Sequence, residues 1–397
     1  MNKRPFIILS AFLLLFSLIE KGQATETYRP ETSVAGFIQL PGSGRQVYNF
    51  NPGWRFFRGD VRGAEVVNFD DRSWNVVSTP HTVELMPAEG SGCRNYQGPA
   101  WYRKHFVLPA ETKGQRVVLH FEAAMGKQIL YLNGKRIQEH LGGYLPFTLD
   151  LTANGVQAGD SCLLAVFTDN SDDKSYPPGK RQYTLDFAYH GGIYRDVWMI
   201  AKSPVAITDA IDSQTVGGGG VFIHFDKISE KSAQVYVNTE VQNDDARSES
   251  VTVETTLTDA DGKVIKRSSG KLSLKPGEKK SICQQMEVKN PTLWSPDTPY
   301  LYRVQSRIKK GNKSIDGGIT RVGIRLAEFR GKDGFWLNGK PFGQLVGANR
   351  HQDFAYVGNA LPNSQQWRDA KRLRDAGCTI IRVAHYPQDP AFMDACD

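Results

Sequence analysis

Basic runs, closely spaced cysteines and long apolar stretches are what this 397-residue sequence has least of, and each shortage narrows its function. No five consecutive residues are Lys or Arg, so the formal charge of +7 belongs to a solvated surface and not to a nucleic-acid groove. Setting Lys3, Arg4 and Lys21 against Glu20 in the first 24 residues leaves about +5 for the remainder. The five cysteines (Cys93, Cys162, Cys283, Cys378, Cys396) form no CxxC pair, which argues against both a zinc knuckle and a disulfide scaffold. Their odd number leaves at least one thiol free. The longest apolar run, Phe6 to Ile19, has about 14 residues, short of the roughly 20 that cross a bilayer. It follows Lys3 and Arg4 and precedes Gly22-Gln23-Ala24, so residues 1–24 read as a secretory signal peptide. Export to the periplasm or extracellular space is expected, with no stable membrane anchor; no cysteine near the cleavage site suggests a lipoprotein.

Core-forming residues are plentiful. Hydrophobic side chains make up 40% of the chain, with 20 Phe, 15 Tyr and 7 Trp, so several domains can each bury a core. Residues 25–205 are a succession of short β-prone runs, among them Trp101 to Val107, Arg116 to Phe121 and Leu163 to Phe167. Asn133-Gly134 between two apolar runs is a strong hairpin signal. This pattern predicts an all-β jelly-roll sandwich. After Gly217-Gly218-Gly219-Gly220 the alternation resumes, with Asp261-Gly262 and Pro276-Gly277 as turns, and residues 206–327 read as an immunoglobulin-like β-sandwich of about seven strands.

From residue 328 the pattern changes to hairpin, helix and strand. Asn338-Gly339 marks the hairpin, Asn363 or Ser364 can cap a helix, Trp367, Ala370, Leu373 and Ala376 recur in steps of three, and Gly377 suits the C′ position. Thr379 to Val383 follows as a strand. Residues 328–397 thus read as the start of an incomplete (β/α)8 TIM barrel, far fewer than the roughly 250 residues a whole barrel needs. Arg382 interrupts an apolar strand that is expected to be buried on both faces, so its guanidinium should meet an acid, with Asp353 and Asp375 as candidates within the chain.

Gly347-Ala348-Asn349-Arg350-His351-Gln352-Asp353, Ile381-Arg382-Val383-Ala384-His385-Tyr386-Pro387 and Gly191-Gly192-Ile193-Tyr194-Arg195-Asp196-Val197 resemble the signatures of glycoside hydrolase family 2. Supporting matches at Asn51-Pro52-Gly53-Trp54, Phe69 to Trp74, Pro80-His81-Thr82, Trp101 to Lys104 and Gly142 to Phe147 fall in the family's order, so the resemblance runs from Tyr48 to Asp397. Within the family the β-galactosidases are the nearest likeness, with β-glucuronidases and β-mannosidases as relatives. The implied protein is a secreted retaining exo-β-glycosidase acting on a β-linked galactoside or related glycan, homo-oligomeric assembly being open. A non-catalytic carbohydrate-binding protein is the alternative. Gln352 departs from the pattern, since many members carry Glu there.

Retaining glycosidases need two carboxylates about 5–5.5 Å apart. The family places both as Glu on later barrel strands, and no Glu follows Glu328 here. The resemblance therefore implies that acid/base and nucleophile lie beyond residue 397 and that the chain as given is an inactive fragment. It also implies substrate-binding roles for Asp186, Asn349, His351, Asp353, Arg382 and His385. By the same resemblance Arg382 pairs with the absent nucleophile, and Asp186 reaches across from the sandwich to touch sugar or hold a sodium ion. Sodium or magnesium is the only cofactor the resemblance raises. Trp54, Trp101 and Tyr102 are expected in the core, with His81 and Arg195 structural.

Overall fold

A computed structural model describes residues 31–32, 39–87 and 95–397. The signal-peptide reading and Cys93 lie outside the described residues. The N-terminal unit is a sandwich of two antiparallel sheets. One runs Glu31–Thr32, Gln46–Asn49, Val197–Lys202, Arg116–Phe121, Phe147–Asp150 in spatial order. The other runs Asn75–Val77, Trp54–Arg58, Pro99–Val107, Ser161–Asp169, Lys127–Leu132, Lys135–Leu141. Alternation along these strands sends one set of side chains inward, where Trp54, Tyr102, Phe106, Leu119, Phe121 and Leu164 share a core. Phe121 stacks on Phe147 with ring centroids 4.7 Å apart. Asn133 (φ +50°) and Gly134 (φ +83°) form the left-handed turn joining Lys127–Leu132 to Lys135–Leu141, as the Asn-Gly pair predicted.

Charge inside this sandwich is handled by pairing. Arg103, fully buried, donates from Nε to Asp71 at 2.8 Å and from its other nitrogens to the Ala64, Val66 and Phe69 carbonyls. Lys104, on the neighbouring position, donates to the Phe50 carbonyl at 2.6 Å and lies over the Phe50 ring; burial holds its ammonium pKa well below the usual value. Trp54, Trp101 and Tyr102 are all buried in the sandwich. His81 is wedged against Phe56 and bonds Tyr102 through Nδ1 at 2.8 Å; burial lowers its pKa to about 4, so it is neutral.

Two four-stranded sheets make the second unit. Val205–Ile207, Ser232–Asn243 and Val221–Asp226 with Lys279–Lys289 face Val264–Leu274, Glu249–Thr258, Tyr302–Lys310 and Lys313–Val322. The two units are clamped by Asp316, which is fully buried and accepts from Arg45 Nε at 2.7 Å and from the Ile207 amide at 2.7 Å.

The last segment opens with a hairpin, Phe335–Leu337 and Lys340–Pro341, turning at Asn338 (φ +53°) and Gly339 (φ +77°). The strands Gly347–Arg350 and Ile380–Val383 pair in parallel around helix α1 (Asn363–Asp375), and helix α2 (Pro390–Cys396) follows. This β-α-β unit is the beginning of a TIM barrel. Gly377 takes φ +88° just past α1, as expected. Three expectations are corrected. The first concerns the cap: the residue before α1 is Pro362, and the Asn363 side chain donates to Asp196 at 2.9 Å instead of capping its own helix. The second concerns the apolar stripe: Trp367 is 49% exposed, because that face of α1 borders an open groove towards α2 and Trp294 and is not packed into a core. The third concerns Arg382, which is exposed and meets neither Asp353 nor Asp375, because Ile380–Val383 pairs with one strand alone and lies open on its other edge.

Candidate active site

The barrel opening docks on the sandwich through a layer that is partly aromatic and partly ionic. Tyr144 stacks face to face on Tyr386 at 4.2 Å, within a cluster that includes Met125, Tyr189, Tyr194 and Ala360. Arg195, buried at the end of the Gly191 to Val197 stretch, donates to the Tyr144 carbonyl at 3.2 Å, the Pro387 carbonyl at 2.7 Å and Gln352 Oε1 at 3.1 Å. Its nearest carboxylate is Asp389, at 3.8 Å. Arg195 is thus the bolt that fixes the barrel lip to the sandwich, consistent with its structural reading. Gln352 is fully buried at this bolt and turned away from solvent, so its difference from Glu changes docking and not the pocket surface.

Three carboxyl groups lie at this layer. Asp196 accepts from Asn51 at 3.0 Å and Asn363 at 2.9 Å, and burial raises its pKa to about 6. Burial raises Asp389, and burial with neighbouring negative charge raises Glu122 well above the carboxylate range.

Docking brings the end of each barrel strand up to a sandwich loop. Asp186, His351 and His385 place their ligand atoms within 4.8 Å of one another, although they come from the sandwich and from the ends of both barrel strands. Phe187 supports this cluster, with its ring 5.3 Å from His351 and 5.6 Å from His385, and the two imidazoles meet edge to face at 5.3 Å. Tyr386 Oη accepts from the Gln352 amide at 3.3 Å and lies 3.5 Å from His351 Nδ1. Arg382 stands behind His385: its Nη1 donates to Nδ1 at 3.0 Å and to Asn349 Oδ1 at 3.3 Å. Asp186 has no salt bridge among the described residues. Asp353 is set apart, with its carboxylate 3.8 Å from His190 Nε2 against the sandwich.

A cleft of about 630 Å³ runs from His385 and Asp186 between Leu141, Leu145, Pro177, Pro178 and Phe187. The cluster therefore combines an exposed carboxylate acceptor with two ring nitrogens over an aromatic floor, an arrangement that can grip hydroxyl groups. Sodium and magnesium prefer all-oxygen ligands, so one carboxylate with two imidazoles does not fit either ion. The aromatic and cationic supports, Phe187, Tyr386, Tyr144 and Arg195, were not among the expected site residues. Only the Gly-Gly-Ile-Tyr-Arg motif hinted at Arg195.

A jelly roll that lends an acidic loop to the C-terminal mouth of an α/β barrel, across an immunoglobulin-like spacer, defines a class of modular α/β-barrel protein. Three family models place the chain within that class, in order: glycosyl hydrolases family 2, sugar binding domain, over residues 66–204; glycosyl hydrolases family 2 over 219–325; and glycosyl hydrolases family 2, TIM barrel domain, over 329–397. The chain belongs to glycoside hydrolase family 2. It is 34% identical to a β-galactosidase of Thermoanaerobacter pseudethanolicus over 89% of its own length and 45% of the relative's. It is 32% identical to a β-glucuronidase of Formosa agariphila over 90% of its length and 38% of that protein. A Bacteroides uniformis β-glucuronidase crystal structure superposes with a TM-score of 0.80 at 32% identity, covering 89% of this chain and 41% of that one. The chain thus spans about two fifths of the length of these relatives.

Proposed function

We propose that this chain is the exported, sugar-recognising part of a retaining exo-β-glycosidase, and that its sugar is a β-galactoside. The observation that carries the reading is the cluster of Asp186, His351 and His385 at the shared mouth. Asp186 accepts a hydrogen bond from a sugar hydroxyl, and the imidazoles bond its neighbours. A neutral hexoside suits this pocket better than a uronate, because the exposed Asp186 carboxylate would repel a second negative charge. A β-glucuronide is the second reading, favoured by the guanidinium of Arg382 beside the cluster and by Lys180 along the cleft.

The chain's own residues bind and orient. The proton transfer and nucleophilic attack of a retaining glycosidase need a carboxyl pair, and Arg382 is the residue here proposed to face the nucleophile. Titration with isopropyl β-thiogalactoside and with methyl β-glucuronide tests the proposal. Saturable binding of the galactoside, weakened about tenfold or more by Asp186→Ala, is expected, with no hydrolysis of 4-nitrophenyl β-D-galactoside by the chain. Preference for the glucuronide would reverse the sugar assignment, and binding of neither sugar, or turnover by this chain, would overturn the reading.

A further inference from the structure

The proton on His385 is dictated by its neighbour. Arg382 Nη1 lies 3.0 Å from His385 Nδ1, and a guanidinium has N–H donors only, so Nδ1 must be the acceptor. The neutral ring then carries its proton on Nε2. Arg382 itself is held in place, because Asn349 is its register partner on the adjacent strand and accepts from the same Nη1 at 3.3 Å. Behind His351, the Tyr386 hydroxyl is placed to do the same for the other ring, having accepted from Gln352 on its oxygen.

This placement bears on an alternative use of the cluster. Two imidazoles and one carboxylate whose ligand atoms lie within 4.8 Å of one another are a chemically apt set for a borderline divalent cation such as zinc. A cation needs a bare nitrogen from His385. If it takes Nδ1, Arg382 already occupies that lone pair. If it takes Nε2, the proton must move to Nδ1 and face the guanidinium N–H.

We propose that Arg382 is a positioning residue that holds His385 as an Nε2–H donor and so keeps the Asp186, His351 and His385 cluster open to hydroxyl groups and closed to zinc-like ions. The hydroxyl half of this statement rests on the function proposed above; the proton placement and the exclusion of metal do not, so the test uses no sugar.

The chain labelled with 15N-histidine is followed through its ring signals at a pH where free imidazole is neutral, first alone and then with zinc. Alone, His385 is expected to carry its proton on Nε2. A ring protonated on Nδ1 would overturn the proposal without any variant. With zinc, the wild-type His351 and His385 signals should stay in place at concentrations where Arg382→Met moves both, the variant binding about 10- to 100-fold tighter, the scale on which outer neighbours tune metal affinity. Adding Asp186→Ala to that variant should abolish the gain, and Arg382→Lys, which keeps a cationic donor, should remain near wild type. Equal zinc affinity at these two rings in the wild type and in Arg382→Met would contradict the account. Since Arg382 is solvent-exposed, its replacement should leave the fold intact, and unchanged signals from the other histidines verify this in the same spectra.

Discussion

The sandwich and the barrel opening differ in how far each supports itself. In the sandwich, Arg103 has a carboxylate and three carbonyls around it, and every strand but those at the sheet edges has two neighbours. In the barrel opening, Ile380–Val383 has one neighbour, and Trp367 and Ile380 face solvent. The first region is self-sufficient; the second is held by what it leans on. The difference teaches where stability resides and where the proposed recognition cluster is built. The sandwich supplies the floor, and Asp186, His351 and His385 come together only where the barrel strands are bolted onto it.

Breaking the self-sufficient region should have the largest effect. Arg103→Met leaves Asp71 buried at 3% exposure with only the His105 Nε2 contact at 3.1 Å, and should cost the sandwich about 3–5 kcal/mol, read as the midpoint shift in urea. A shift below about 1 kcal/mol would show that the pair is not what holds that core.

Breaking the bolt comes next. Arg195→Met removes three hydrogen bonds and the charge facing Asp389, so limited proteolysis should release the segment after Phe329 while the sandwich keeps its melting temperature. If both regions melt together, the comparison drawn above fails.

A smaller effect should follow pH. The carboxyl of Asp196 is raised to about 6 in the folded chain against about 4 when unfolded, so the folded state holds more protons between these values. The stability this group contributes is fully present below about pH 4 and is lost as pH rises through about 6. Glu122 and Asp389 shift in the same direction. Protection from hydrogen exchange near Asn363, taken relative to the pH-dependent intrinsic rate, should therefore be highest in mild acid and fall toward neutrality, and a flat protection profile between about pH 4 and 7 would remove the proposed role of this layer. The smallest effect belongs to Trp367→Gln, which should alter stability by under about 0.5 kcal/mol because the side chain is half exposed, as a denaturation curve can verify.

Much of the fold was legible because it is written in local pattern. Asn133-Gly134, Asn338-Gly339 and Gly377 each adopt the left-handed geometry their sequence implied. The candidate cluster was reachable only through motif resemblance, which put Asp186, His351 and His385 on one list and had Asp186 reach across from the sandwich, but gave no contact that holds them together. The docking contacts were not legible: Arg195 meets Gln352 and Pro387 across 157 and 192 residues of chain, and no periodicity records such distances. Arg382 misled for a physical reason. Ile-Ile-Arg-Val has the composition of a strand buried on both faces, yet burial depends on neighbours that a strand's own residues do not encode.

The account stands or falls on one pocket being shared by two regions, and a double-mutant cycle of galactoside affinity tests that sharing. Asp186→Ala in the sandwich and His385→Ala at the barrel lip should each weaken binding of isopropyl β-thiogalactoside by about tenfold or more, and the double variant should lose little beyond the worse single one, since both grip the same sugar. Losses that simply add, or a galactoside that binds undisturbed by either change, would contradict a pocket built jointly by the sandwich and the barrel.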